Sequence, residues 1–302
     1  MVKQNFPSYE QVRGVIESAL QEDFAVKDIT TGLFSGTHRI VHAKLVAKQE
    51  GVIAGMAVVP LILKTLRRYA AADNILNKCG KETVVCYVRD GKRVASRKCI
   101  GEIIAPFGIV LSVERTILNF LQQLSGIATL TRLYVDALGK VNKKAKVYDT
   151  RKTTPGMRVL EKYAVTCGGG NNHRFHLADQ VLIKDNHWEL LPCEGFEKVK
   201  NRVFGLRKKK KVKVEIEVDK FSELQKVLEF RPDIIMLDNM DIHTVKRAVT
   251  IIRRFDKKIE IELSGNINLK RISVFRGLDI DRVSIGRITH SAPAMDISLD
   301  IV

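Results

Sequence analysis

Apolar positions at helical spacing open the chain, framed by Ser8 and Gln11 in a capping-box arrangement that predicts a helix through Leu20. The spacing then shortens to the two-residue alternation of strands in HRIVHAKLVAK (38–48) and ETVVCYVRDG (82–91). Helix and strand patterns mixed in this way predict an α+β domain. From Leu111 to Leu138 the helical period returns, with Val113, Ile117, Phe120, Leu121, Leu124 and Ala128 on one face. A long helical region therefore joins two halves of the chain, with Gly126 as the expected break.

Beyond this region short apolar segments alternate with amphipathic ones. The expected strands are AKVYD (145–149), QVLIKD (180–185), VKVEIEV (212–218), DIIMLD (233–238), KIEIELS (258–264) and RVSIG (282–286). FSELQKVLEF, IHTVKRAVTIIRRF and LKRISVFRG lie between the later ones at helical period. Alternating β and α units predict a parallel sheet, either open and doubly wound or closed as a barrel. Polar residues stand at every strand's C-terminal end: Thr150–Arg151–Lys152, Lys184–Asp185–Asn186, Glu217, Asp238–Asn239, Ser264–Gly265–Asn266, and Ser284 with Gly286. A doubly wound sheet gathers such residues at one switch point, whereas a barrel brings all strand ends to one face, so the pattern favours the barrel. The domains expected are 1–125, α+β, and 126–288, an α/β barrel, with a tail at 289–302 that packs back on the first.

At 302 residues and 45% hydrophobic composition, the chain can bury a sizeable core. No apolar run approaches the roughly 18 residues of a membrane span, and MVKQNFPSYEQ lacks a signal-peptide core, which points to a cytoplasmic protein. The five cysteines (79, 86, 99, 167, 193) show neither disulfide nor zinc-site spacing and are expected as reduced, buried thiols. Net charge is +17, and nine basic residues with no acidic one fall between Lys198 and Val214. With no interleaved aromatic residues or nucleic-acid-binding motif, this run predicts a solvated loop, and nucleic acid is not the expected partner.

Arg151, Lys152, His173, Arg174 and Lys184 concentrate positive charge beside short apolar strands, an arrangement that asks for a ligand with several negative groups. Gly168–Gly169–Gly170 could bare its backbone to such an anion, although it lacks the context of a dinucleotide site. The turns at Ser264–Gly265–Asn266 and Ser284–Ile285–Gly286 are better phosphate candidates, being at the ends of late strands. Glu217 and Asp238 are suited either to ion pairing or to holding Mg²⁺ and sugar hydroxyls. Glu215 shares the face of Glu217. His173 reads equally as base, carboxylate ligand or polar core residue, and no metal-type histidine spacing or covalent-catalysis signature accompanies it.

Taken in order, VERTILNFLQQLSGIATLT, DTRKTTPGMRVLEKYAV, CGGGNNHR, LIKDNH, IMLDN, SGN and SIGRITHSAPAMDISL resemble the quinolinate phosphoribosyltransferases, from about Gln21 to the C-terminus. The resemblance implies an α+β N-terminal domain and an incomplete, seven-stranded α/β barrel, in homodimers or hexamers with shared active sites. It implies Mg²⁺-dependent conversion of quinolinate and phosphoribosyl pyrophosphate to nicotinate mononucleotide, pyrophosphate and carbon dioxide, in NAD synthesis. By this resemblance Arg115, Arg151, His173, Arg174 and Lys184 surround the quinolinate carboxylates, with Arg115 reaching across the dimer, and Thr150 is among the substrate-binding residues. Lys152 meets the pyrophosphate, Glu217 and Asp238 hold ribose hydroxyls and the metal, directly or indirectly, and Ser264, Gly265, Asn266, Ser284 and Gly286 receive the 5′-phosphate. Lys152, Lys184, Glu217 and Asp238 are the implied catalytic residues. EDFAVKDITT (22–31) lacks the family's glycines, while Asn266 and His176 stand where glycine is usual. The competing expectations are a related phosphoribosyltransferase-like protein of molybdenum-transport loci and a non-catalytic polyanion binder.

Overall fold

The computed structural model describes residues 5–23, 28–34, 36–72 and 82–302; Cys79 and residues 24–27 of the glycine-poor segment lie outside these. Two compact units partition the chain, one formed by 1–132, 153–169 and 287–302, the other by 133–152 and 170–286.

The first unit opens with helix α1 (Tyr9–Glu22), where Gln11 accepts the Ser8 backbone N–H at 3.0 Å and Val12, Ile16 and Leu20 are buried. Strands β1 (Ile40–Ala47) and β2 (Gly51–Val52), helix α2 (Val58–Ala72), strands β3 (Thr83–Cys86), β4 (Arg93–Val94) and β5 (Lys98–Pro106), and helix α3 (Phe107–Val141) follow. All six residues of the expected α3 face are buried. The helix begins earlier and ends later than its periodicity suggests, and it runs through Gly126 unbroken. Gly126 serves close packing instead: a Cβ there would lie 2.1 Å from the Pro293 carbonyl oxygen, where the C-terminal segment crosses the helix. Gly126→Ala is expected to destabilise the protein by about 3 kcal/mol, because backbone rather than a flexible side chain would have to move. Thermal unfolding checks this; an unchanged melting temperature would contradict it.

β6 (Lys146–Tyr148) starts the sheet of the second unit, and α4 (Arg158–Cys167) belongs again to the first. At the end of α4, Gly168 is pressed against α3, its missing Cβ only 2.5 Å from the Ala128 oxygen, and Gly169 turns with φ +87°. The first two glycines of the triplet thus end and pack a helix.

β7 (Val181–Ile183), two short helices α5 (Asp185–Trp188) and α6 (Leu191–Glu194), α7 (Phe196–Lys210), β8 (Val214–Val218), α8 (Leu224–Glu229), β9 (Ile234–Asp238), α9 (Ile242–Phe255), β10 (Glu260–Ser264) and β11 (Arg282–Ser284) complete the second unit. All six expected strands form. They make one parallel sheet in the order β6-β11-β10-β9-β8-β7. From β7 to β11 each strand lies beside its sequence neighbour, so the sheet is singly wound and lacks the order reversal of a doubly wound fold. β8 is buried along its whole length.

The chain returns to the first unit through Arg287–His290 and ends in β12 (Ile297–Ile301), which pairs antiparallel with β1 in the sheet β12-β1-β5-β3. Two expectations need correction. The basic run is no loop: α7 carries it to Lys210, and Lys211 caps the helix at φ +50°. Lys and Arg are good helix formers, and at a helix C-terminus their charge is favourable. Nor are the described thiols buried, since Cys86 and Cys193 are exposed and Cys99 and Cys167 half-buried, all of them free. No helix among the described residues is long and apolar enough to cross a membrane.

Candidate active site

Parallel pairing puts the C-terminal ends of β6 to β11 on one edge of the sheet, and the polar residues foreseen there do stand on that edge. Beyond β6, the Thr150 hydroxyl accepts the Lys152 backbone N–H at 3.0 Å, bending the chain just after Arg151. Asp149, wholly buried, accepts the His173 backbone N–H at 2.8 Å and so draws the 171–174 segment against β6. A parallel bridge between Tyr148 and Asn171 reinforces this.

Arg174 is thereby set near Arg151. Burial first, and then the charge of Arg151, hold its guanidinium below the ordinary arginine value, with Glu215 and Asp179 opposing. Two cations set near each other while partly removed from water suit an anion with more than one negative group.

His173 is buried, and both ring nitrogens meet protein atoms. Nδ1 accepts the Arg174 backbone N–H at 2.8 Å, and Nε2 lies 3.1 Å from Glu215 and 3.6 Å from Glu262. Burial, then the charge of Glu215, push Glu262 well above the usual carboxylate range. The Ser284 hydroxyl donates to Glu262 at 2.5 Å, so this side chain is engaged within the protein.

Further along the edge, Lys184 Nζ donates to Glu217 at 2.6 Å. Burial raises the Glu217 pKa, Lys184 opposes, and the charges of Asp238 and Asp219 raise it further. Asp185, Glu217 and Asp219 offer carboxylate oxygens within 4.8 Å of one another. Hard carboxylate oxygens gathered this closely suit Mg²⁺, so the residues fit that ion.

The turn after β10 is tight. Gly265 has φ +90°, and a Cβ would lie 2.1 Å from Asn239 Oδ1. Asn266 follows at φ +48° and donates to Asn239 Oδ1 at 3.3 Å. Asparagine is among the few non-glycine residues at ease in this left-handed region, so its presence in place of glycine preserves the turn. Asn266→Gly is expected to leave activity and stability nearly unchanged, whereas Asn266→Val costs about 1–2 kcal/mol; paired melts and rates check both, and equal losses in the two would contradict it. His176, the other departure, is exposed and pairs with Asp179 at 2.8 Å.

Arg115 is exposed on α3 in the first unit. Glu262 and Gln180 were not singled out from the sequence. The signal that could have found Glu262 is the repeated EIE in β8 and β10, which places two glutamates on one face of each strand.

This edge defines a class: an α/β protein with cationic side chains and carboxylates gathered at the C-terminal ends of a parallel sheet. Family models described as quinolinate phosphoribosyl transferase, N-terminal domain and C-terminal domain, match residues 28–125 and 127–300. The chain belongs to the quinolinate phosphoribosyltransferase family. It is 35% identical to a probable nicotinate-nucleotide pyrophosphorylase (carboxylating) of Bacillus subtilis, over 96% of this chain and 93% of that protein. Identity to the nicotinate-nucleotide pyrophosphorylase (carboxylating) of Mycobacterium leprae is also 35%, over 97% and 98%. The solved NadC structure from Streptococcus pyogenes superposes with a TM-score of 0.84 at 37% identity, covering 99% of each chain.

Proposed function

We propose that this chain transfers the phosphoribosyl group of phosphoribosyl pyrophosphate to the ring nitrogen of quinolinate and decarboxylates the product, giving nicotinate mononucleotide for NAD synthesis. The observation that carries the reading is the Arg151–Arg174 pair, two guanidinium groups held in mutual repulsion on the strand-end edge that also carries the Lys184–Glu217 ion pair. Two guanidinium groups that repel each other suit a pyridine with two adjacent carboxylates better than a neutral or singly charged base.

In this reading Thr150, Arg151, His173, Arg174 and Lys184 surround the two carboxylates, with His173 acting through the Arg174 backbone that it holds. Lys152 meets the pyrophosphate, Glu217 and Asp238 hold the ribose hydroxyls, and the turns Ser264–Gly265–Asn266 and Ser284–Gly286 receive the 5′-phosphate, Ser284 through its backbone. The bond from ribose C1′ to the pyrophosphate oxygen breaks with its electrons leaving on pyrophosphate, and the pyridine nitrogen lone pair forms the new bond to C1′. Positioning and fixed charge carry this step, since the ribosyl centre is cation-like and needs no strong nucleophile. The ring nitrogen is then cationic and accepts the electrons released when the carboxylate at C2 departs as carbon dioxide; a proton from solvent completes the ring carbon. Mg²⁺, held by Glu217 and Asp238 with Asp185 and Asp219 in support, would neutralise the pyrophosphate charge.

The singly wound sheet, with Asn171 bridged to Tyr148 beyond β6, supports an incomplete barrel in which that bridge stands for a seventh strand, beside an α+β N-terminal domain. We assign the protein to the cytoplasm as a homodimer or higher assembly in which Arg115 serves the neighbouring copy's site. Mass spectrometry of an incubation with quinolinate, phosphoribosyl pyrophosphate and Mg²⁺ tests the function. Nicotinate mononucleotide is the expected product, and its absence with folded protein would overturn the reading.

A further inference from the structure

Glu215 and Glu262 are wholly buried and take no part in the transfer derived above, yet they meet at one imidazole. Burial works to lower the His173 pKa, and the hydrogen bond and charge of Glu215, with the charge of Glu262, more than offset it. The Arg174 backbone N–H nevertheless donates to Nδ1 at 2.8 Å, which an imidazolium could not accept. The geometry therefore selects the tautomer with a bare Nδ1 and its hydrogen on Nε2, toward the carboxylates.

From this ring the contacts run two ways. Glu215 also accepts the side-chain amide of Gln180, and the Gln180 carbonyl accepts Arg174 Nη1 at 3.2 Å. One carboxylate thus fixes Arg174 twice, its backbone through His173 and its guanidinium through Gln180. Glu262, on β10, reaches the same ring and also takes the Ser284 hydroxyl at the end of β11. Glu262 Oε2 is buried without a hydrogen bond, and the bonds that the other interior groups make with one another rigidify the geometry they share.

We infer that Glu215, Gln180 and Glu262 are positioning residues for phosphoribosyl transfer: Glu215 and Gln180 set the Arg174 fork that receives the substrate dicarboxylate, and Glu262 ties that fork to the β11 turn that receives the phosphate. The inference rests on the function proposed above for what Arg174 binds. Its chemical content is separate, because none of the three touches substrate.

Glu215→Gln puts an amide donor where His173 and Gln180 both donate, and Gln180→Ala keeps the backbone carbonyl that meets Arg174 but removes the side-chain amide that anchors it to Glu215, without opening the buried core. Each is expected to raise the KM for quinolinate about tenfold while the KM for phosphoribosyl pyrophosphate changes less than about threefold, with melting still cooperative. Glu262→Gln, which keeps an acceptor for Ser284, should retain more activity than Glu262→Met. A loss that only packing explains would lower kcat or shift both KM values together, and either result in folded variants overturns the inference. Nitrogen chemical shifts of the His173 ring in the ligand-free protein give a readout independent of turnover. A bare Nδ1 near neutral pH, perturbed by Glu215→Gln, is expected; a doubly protonated ring overturns the network. Absence of wild-type turnover with quinolinate would sink the proposed function, while the ring spectrum would still decide the arrangement.

Discussion

Arg174→Ala is expected to lower kcat/KM for quinolinate by about 100-fold or more while leaving the fold intact. The side chain is half-buried, stands near Arg151, and is aimed by the Gln180 carbonyl at 3.2 Å, so it reaches a ligand already oriented. Losing one charge-assisted contact to a desolvated carboxylate costs about 2–5 kcal/mol in comparable sites. Without ligand the same arginine is a burden, because burial and a like charge both disfavour it. The melting temperature of Arg174→Ala should therefore stay level or rise, the opposite of a structural residue. Arg174→Lys should recover little, since a point charge cannot reproduce the planar fork. Steady-state kinetics beside thermal melts check the pair of outcomes, and a loss of stability matching the loss of activity would contradict it.

The second large effect is expected at Glu217. Lys184 is bonded to it at 2.6 Å, and Asp185 and Asp219 place their oxygens beside it. Glu217→Gln keeps the shape but removes the charge on which that group converges. We expect kcat to fall about 100-fold, as when one preorganised electrostatic contact to a reacting centre is lost, and half-saturation by Mg²⁺ to move to higher concentration. The KM for quinolinate should change much less, because its carboxylates are assigned to the arginine end of the edge. A magnesium titration at fixed substrates separates these. An unchanged half-saturation with kcat intact would remove Glu217 from the metal and ribose roles.

Much of the fold was legible because period and burial agree. The α3 face, the capping box at Ser8 and Gln11, and all six strands of the parallel sheet follow from spacing alone. What misled were residues whose local preference is overridden by distant backbone. Gly126 reads as a break, but the Pro293 carbonyl crosses there and the glycine is the price of that approach. The run RKKKK reads as a loop by charge, but its residues favour helix and its solvation is met on the exposed end of α7. The site divides along the same line. Arg151, Lys184 and Glu217 were visible as charged residues at strand ends, and Arg174 as a member of the basic cluster. Glu262 was not, because alternation in EIEL suggests a half-exposed strand, whereas Ile261, Glu262 and Leu263 bury both faces of β10 and the glutamate is wholly out of water. Gln180 was hidden for a different reason: its role depends on a contact with Glu215 that only the folded sheet creates.

The central claim is that one site both recognises two adjacent carboxylates and discards one of them. Quinolinate labelled at the C2 carboxylate carbon tests this most directly, with labelled carbon dioxide and pyrophosphate counted together in the presence of phosphoribosyl pyrophosphate and Mg²⁺, beside a parallel reaction with nicotinate. The expected result is equal amounts of the two products from quinolinate and neither from nicotinate. Pyrophosphate released equally well with nicotinate, and no labelled carbon dioxide from quinolinate, would contradict it.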